Sequence, residues 1–223
     1  MPTPSKGYYI KGKRVPGTTT IIGRFKDSSP LLYWACEQGK AIERREISSL
    51  YDKRDLAADI GTAAHDMADK HLKGGNPIES TDYLSLAPEG QSKALQAFDM
   101  FLEWWEGTNL KIRATEVQLT SEKYKYGGTP DWILETPKGL AMGDIKTSNG
   151  IYTDYLIQVA AYKQLWDENY PEEPIVGGFH ICRFSKDFPD FDHKYCAELD
   201  LAFRQFVLFR EAYDIDKELR KRV

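Results

Sequence analysis

The chain has 223 residues, 41 % of them hydrophobic and 13 % aromatic, enough apolar material for a sizeable core at a length that favours one domain or two small ones. Charged residues make up 29 % with both signs mixed, which argues against a disordered chain, and the net charge of −4 excludes a uniformly basic nucleic-acid coat. Any grip on phosphate therefore has to come from a local basic rim or from a bound cation.

Tyr8-Tyr9-Ile10, Lys11-Gly12 and Lys13-Arg14-Val15 read as a short hairpin turning at Gly12. Pro16-Gly17 ends it, and Thr18 to Thr20 offer a cap for a short helix. From Ser29-Pro30 onward, Leu31, Leu32, Trp34, Ala35 and Ile42 recur at helical spacing. A helix over Asp55 to Leu72 carries Leu56, Ile60, Ala64, Met67 and His71 along one stripe, and Lys73-Gly74-Gly75-Asn76-Pro77 stops it. The next helix, Gly90 to Glu106, holds Ala94, Leu95, Phe98, Phe101, Leu102 and Trp105.

After Asn109 the pattern changes to strands. Ile112 to Leu119, Tyr126 to Glu135 and Leu140 to Thr147 form three in succession, with turn signals at Ser121-Glu122-Lys123 and Thr136-Pro137-Lys138-Gly139. Tyr152 to Asn169 is helical and closes at Tyr170-Pro171. Two further strands, Ile175 to Phe184 and Phe191 to Leu199, precede a last helix from Leu201, whose terminal Arg220-Lys221-Arg222 complements the helix dipole. This order predicts an α/β core on a mixed sheet over residues 109–223, preceded by a mainly helical section over residues 1–108.

The densest chemistry lies between Gly127 and Lys146. Gly128-Thr129-Pro130-Asp131 carries the chain through a turn and presents a carboxylate, and Gly143-Asp144-Ile145-Lys146 follows on the next strand. Side chains alternate along a strand, so Asp144 and Lys146 share one face and Ile145 the other. In a meander Asp131 falls beside Asp144. Two adjacent carboxylates repel unless a positive charge sits between them, and carboxylate oxygens suit Mg2+ or Mn2+. Lys146, one pleat away, is placed to hold or deprotonate an attacking water. The plainer reading is a turn aspartate and a solvated Asp–Lys pair; Ala141, Met142 and Ile145 weigh against it, because they mark a buried strand where unpaired charge is costly.

Gly128-Thr129-Pro130-Asp131 followed by Asp144-Ile145-Lys146 resembles the PD-(D/E)XK nuclease motif. The Gln158-x-x-x-Tyr162 pair and the Gly61-Thr-Ala-Ala-His65 segment are similar to the RecB-type exonuclease branch, which includes phage exonucleases, CRISPR adaptation nucleases and the mitochondrial genome-maintenance exonuclease. The resemblance runs from Gly61 to Tyr162, close to half the chain. It implies a restriction-endonuclease-like fold with a mixed central sheet flanked by helices, forming a single nuclease domain over residues 1–223. It implies a metal held by His65, Asp131, Asp144 and the carbonyl of Ile145, with Lys146 as catalytic lysine. Gln158 and Tyr162 would support the site or the DNA, and Glu116 stands where relatives keep a glutamate near the metal. The activity implied is hydrolysis of DNA at single strands or ends, in recombination, repair or phage DNA processing. Two alternatives are a sequence-nonspecific endonuclease and a catalytically idle protein that binds DNA ends; a third is hydrolysis of another phosphoester.

Cys36, Cys182 and Cys196 are too few and too scattered for a disulfide framework or for the iron–sulfur cluster of some relatives. No GxxxxGK[ST] loop is present, so no nucleotide cofactor is expected. No apolar run approaches the roughly 20 residues of a membrane span, and Met1 to Gly17 lacks the apolar core of a signal peptide, so an intracellular protein starting at its folded part is the expectation. Lys123 and Lys125, near the Asp131 turn, and Thr147 and Ser148, after Lys146, are candidate phosphate contacts. Arg24, Lys26, Tyr33, Trp34, Lys40, Arg44 and Arg45 mix basic and aromatic side chains that could guide a single strand or form an ordinary solvated helix face. His71, His180 and His193 read as structural or exposed. A second copy of the chain or a recombination protein is the candidate protein partner.

Overall fold

A computed structural model describes residues 7–45 and 49–223 of the chain. The expectation that the folded part begins at Met1 lies outside the described residues. The chain opens with the hairpin β1 (Tyr8–Ile10) and β2 (Lys13–Val15), followed by α1 (Thr18–Arg24), α2 (Ser29–Glu43) and α3 (Leu50–Leu72). A short α4 (Thr81–Ser85), capped by the Ser80 hydroxyl accepting from the Tyr83 N–H at 3.0 Å, leads into α5 (Pro88–Glu106). Thr18 to Thr20 do not cap α1: Gly17 stands at that position, and the Thr18 hydroxyl instead donates to the Gly127 carbonyl at 3.0 Å.

The strands are β3 (Lys111–Thr115), β4 (Leu119–Ser121), β5 (Tyr126–Gly128), β6 (Trp132–Thr136), β7 (Gly139–Lys146), β8 (Ile175–Phe184) and β9 (Phe191–Cys196). Helix α6 (Thr153–Asn169) crosses from β7 to β8, and α7 (Asp200–Leu219) ends in a turn of 3-10 helix. The main sheet has the order β3-β6-β7-β8-β9; β7 and β8 are parallel and every other pairing is antiparallel. A parallel pair needs a long crossover, and α6 supplies it. This is the expected mixed central sheet flanked by helices.

Two strands expected to be continuous are broken. The first stops at Thr115, because Glu116 takes a left-handed conformation (φ 52°), and β4 then leaves the main sheet to pair with β5. The second is interrupted at Thr129-Pro130-Asp131 between β5 and β6. Proline lacks an N–H, so it cannot continue a ladder there. Both breaks place an acidic residue beside the open end of β6: the Glu116 N–H donates to the Asp131 carbonyl at 3.1 Å.

Alternation along β6 and β7 divides the interior into two layers. Trp132, Leu134, Ala141 and Ile145 face α3 and α5, where Phe98, Phe101 and Trp104 complete an aromatic core; Trp104 stacks on Trp132 with ring centres 5.8 Å apart. Ile133 and Met142 face the opposite layer, with Ile21 of α1, Ile157 and Leu165 of α6 and Phe206 of α7. Each such fully buried side chain contributes roughly 1.5–3 kcal/mol by leaving water. The layers flank the sheet on both sides, so a residue at the sheet's end can meet groups from both.

Helix α2 forms where helical spacing was expected; Leu32 is 63 % exposed and Ile42 37 %, and among the described residues of that helix Ala41 is the buried one. Among the described residues no helix is long and apolar enough to cross a membrane.

Candidate metal and catalytic site

Asp131 leaves the turn before β6 and turns inward, 2 % exposed, while its Oδ2 accepts from the Ile145 N–H at 2.8 Å. Asp144 and Lys146 share a face of β7, as alternation requires, and Asp144 has no exposed surface. Lys146 Nζ lies 2.6 Å from Asp144 Oδ2, a close ion pair. Asp131 Oδ1 is fully buried with no hydrogen-bond partner. Buried acceptors are normally satisfied, so this orphaned oxygen, beside a second buried carboxylate, calls for a positive ligand.

His65 arrives from α3, in the opposite layer, with Nδ1 3.8 Å from Asp131 Oδ2. Ligand atoms of His65, Glu116 and Asp131 all lie within 4.8 Å of one another. Asp144 is not in that trio; its oxygens face Lys146 and the Gln158 amide, whose Nε2 donates to Asp144 Oδ1 at 3.4 Å. Ile145 lies in the same neighbourhood: its N–H holds Asp131, and its backbone acts on the His65 ring.

Burial sets the charge states. It pushes the His65 imidazole down to about 3, helped by the Lys146 ammonium and opposed by Asp144, so the ring is neutral and its lone pair available. It raises Asp144 to about 6, against the pull of Lys146, and raises Asp131 as well. Glu116 retains open surface, yet atoms packed around its carboxyl, with Asp131 and Asp69 nearby, raise it to about 7. Burial also works against the Lys146 ammonium, but Asp144 and Asp131 outweigh it and hold it above the ordinary lysine range. Lys146 is thus a cation at neutral pH in the metal-free protein.

Gln158 and Tyr162 stand one turn apart on α6. The Gln158 amide donates to the Tyr162 hydroxyl at 3.1 Å as well as to Asp144. Tyr162 is only 2 % exposed, so it braces Gln158 and offers no surface to DNA, contrary to its expected second role. Two glycines permit the close approach of helix to strand. A Cβ on Gly128 would lie 2.5 Å from the Tyr162 ring, and one on Gly61 would lie 2.8 Å from Thr147 Oγ1.

Three contributors escaped the sequence reading. The Tyr155 ring lies under Lys146 Nζ at 4.9 Å, a cation–π contact. The Tyr8 hydroxyl hydrogen-bonds Thr129 Oγ1 at 3.0 Å, steadying the turn that delivers Asp131. Asp69, one turn beyond His65 on α3, pairs with Lys73 at 2.6 Å and raises Glu116. Helical i,i+4 spacing from His65 could have flagged Asp69; Tyr8 and Tyr155 had no local signal.

Other candidates are placed apart. Lys123 and Lys125 occupy the β4–β5 turn, where the Lys123 N–H donates to Glu168 Oε1 at 3.2 Å. Glu168 is ten residues past Gln158, roughly 15 Å along α6, which sets Lys123 apart from the Gln158 end of the site. Thr147 packs by Gly61 next to the site, whereas the Ser148 hydroxyl donates to the Gly150 carbonyl at 2.8 Å and shapes its own loop. Arg24 pairs with Asp216 and Lys26 with Asp154, while Lys40 is paired along its own helix with Glu37. His71 packs edge-on to Phe98 and Phe101, and His180 stacks on His193.

The donor set fits a hard divalent cation: a neutral imidazole, the Asp131 carboxylate with an orphaned oxygen, and Glu116 at the open side, with Asp144 adjoining. Its geometry can bind a cation next to a fixed ammonium, an arrangement suited to gripping a phosphate.

No protein-family model matches the chain, and no curated protein matches it in sequence. Among solved structures, a candidate exonuclease from Eubacterium rectale resembles it with 13 % identity and a TM-score of 0.46, over 67 % of this chain and 64 % of that one. A likeness of that degree decides neither fold nor chemistry, which rest on the chain's own residues.

Proposed function

We propose that this chain is a divalent-metal-dependent nuclease that hydrolyses DNA phosphodiester bonds, as an exonuclease in preference to an endonuclease. The observation that carries the reading is the pair of buried carboxylates, Asp131 with an unsatisfied oxygen and Asp144 paired to the Lys146 ammonium, beside a neutral His65. A structural ion pair would need one carboxylate, not two with a ligating imidazole at hand. The resemblance to the PD-(D/E)XK motif supports the reading, and the RecB-type branch supports exonuclease action.

His65, Asp131 and Glu116 would hold Mg2+ or Mn2+, with Asp144 and the Ile145 carbonyl completing the expected set. When bound, the cation supplies Lewis-acid polarisation of the scissile phosphate and balances the carboxylate charge. Lys146 donates to the incoming water and to a phosphate oxygen, and steadies the charge that develops there. Asp144 fixes the ammonium, Tyr155 confines it, and Gln158 holds Asp144 in register.

A time course on end-labelled single- and double-stranded DNA with Mg2+, Mn2+ or EDTA tests this. Metal-dependent loss of label, absent in Asp144→Ala, is the expected result. Binding of DNA ends without cleavage would favour the idle protein, and turnover of small phosphodiesters alone would favour another substrate. Equal rates on linear and circular single strands would mean internal cutting.

A further inference from the structure

A cleft of about 720 Å³ opens between the β1–β2 hairpin, the turn of β4–β5 and the end of α7. Its lining has six cations, Lys11, Lys13, Arg14, Lys125, Arg210 and Lys217, against the single carboxylate of Asp214. In a chain of net charge −4 this is a marked local excess. Two of the cations are spoken for. Lys11 pairs with Glu122 at 2.7 Å, and the buried Arg210 pairs with Asp214 at 2.6 Å while donating to the carbonyls of Tyr124 and Lys125 at 2.9 and 3.2 Å. Arg210 thereby holds the β4–β5 turn against α7. Lys13, Arg14, Lys125 and Lys217 form no close ion pair among the described residues, although Lys125 is near enough to act on Glu122.

Self-repelling cations gathered around a cavity cost stability unless a polyanion occupies it. The cleft also adjoins the site: Tyr8 forms part of its wall and hydrogen-bonds Thr129, two residues before Asp131. Two further clefts, about 680 Å³ beside Phe188 and about 550 Å³ around Trp34, lack this bias: Lys93 and Lys186, which line both, stand with Asp187, and Lys93 pairs with Asp187 and Glu89.

We infer that the hairpin cleft binds the phosphate backbone of a DNA strand beyond the nucleotide at the metal site. This rests on the nuclease reading for the identity of the polyanion, and on the charge and continuity of the cleft for its place. Lys125, one of the two lysines that the sequence suggested for phosphate contact near Asp131, then acts on a more distant part of the same strand.

Fluorescence anisotropy with a labelled single-stranded oligonucleotide, in EDTA over a salt series, tests it without any cleavage. Lys13→Glu/Arg14→Glu should weaken binding at least tenfold and flatten the dependence of log K on log salt by about 1.4, or ~0.7 for each phosphate that is no longer neutralised. Lys217→Glu, on a helix that does not depend on the hairpin's fold, should show about half that change of slope. Lys111→Glu/Lys194→Glu, which alters net charge by the same amount elsewhere, should bind as the unaltered protein does. Hairpin and helix variants that both bind like this control would overturn the inference. So would a mononucleotide that competes as well as the oligonucleotide, because the cleft would then hold one anion only. Intact, charge-dependent binding by a protein that never cleaves DNA would sink the nuclease and leave the cleft standing.

Discussion

Asp131 and Ile145 are joined side chain to backbone: Asp131 Oδ2 accepts from the Ile145 N–H at 2.8 Å. Ile145 lies between Asp144 and Lys146, so this one bond ties the turn before β6 to the strand that carries the other two charged groups. It uses one carboxylate oxygen and leaves the other, Oδ1, buried without a donor. The site is thus preorganised while electrostatically unfinished, and its behaviour should depend on what completes it.

Mn2+ should stabilise the protein, and Asp131→Asn should abolish that effect. At a hundredfold excess over Kd, binding contributes about 2.7 kcal/mol, or roughly 5–10 °C in Tm for a chain of this size. Differential scanning fluorimetry with and without Mn2+ reads it. An unchanged shift in Asp131→Asn would remove Asp131 from the ligand set. Without metal the variant should melt higher than the parent, since it no longer buries a charge.

Lys146→Ala should reduce DNA cleavage by at least ~10³-fold, the scale of removing a main electrostatic donor to the transition state. Its effect on stability should depend on pH. Lys146 lowers Asp144, so its removal raises that carboxyl further above about 6. At pH 5 Asp144 is then neutral and the destabilisation small. At pH 8 a buried charge is left without its partner, a cost of about 3–5 kcal/mol if the carboxylate stays ionised. Melting curves in EDTA at the two pH values compare them, and equal destabilisation would contradict the ion pair.

Metal affinity should rise between about pH 6 and pH 8. Glu116 and Asp144, raised to about 7 and about 6, are protonated below this window, and a proton competes with the cation. His65, lowered to about 3, is neutral throughout. For the metal-free protein the sign is opposite. Carboxyls whose folded values exceed their unfolded ones stabilise the fold at low pH, and that contribution disappears as pH rises through about 6 to 7. Calorimetric Mn2+ titrations at pH 5.5 and 8 should show tighter binding at the higher pH, with proton release near neutrality; affinity independent of pH would be incompatible with ligation by these carboxyls.

Gly128→Ala should destabilise the protein by about 1–3 kcal/mol, as overpacking does. The added Cβ meets the Tyr162 ring at 2.5 Å and Leu165 at 2.8 Å. Displacing Tyr162 also moves Gln158 away from Asp144, so cleavage should fall more than stability alone requires. Urea denaturation and single-turnover rates on folded protein separate the two. Wild-type rates in a fully folded variant would show that this close packing plays no part in positioning.

The residue order alone determined what local periodicity can encode. Asp144 and Lys146 share a face because side chains alternate along a strand, and Gln158 and Tyr162 meet because a helix turns every 3.6 residues. The α6 crossover, the buried β7 and the helical run before the sheet follow from the same short-range rules. Only the tertiary structure decided which groups meet across long separations. It broke two expected strands at Glu116 and at Thr129-Pro130-Asp131, and so brought Glu116 to His65 and Asp131. It tied the Lys123 backbone to Glu168, and it joined Lys13 and Arg14 to Lys217, some two hundred residues later, around one cleft. Alternation and helical pitch act over a few residues, whereas these meetings depend on how two helical layers pack against opposite faces of one sheet, which no short window of sequence contains.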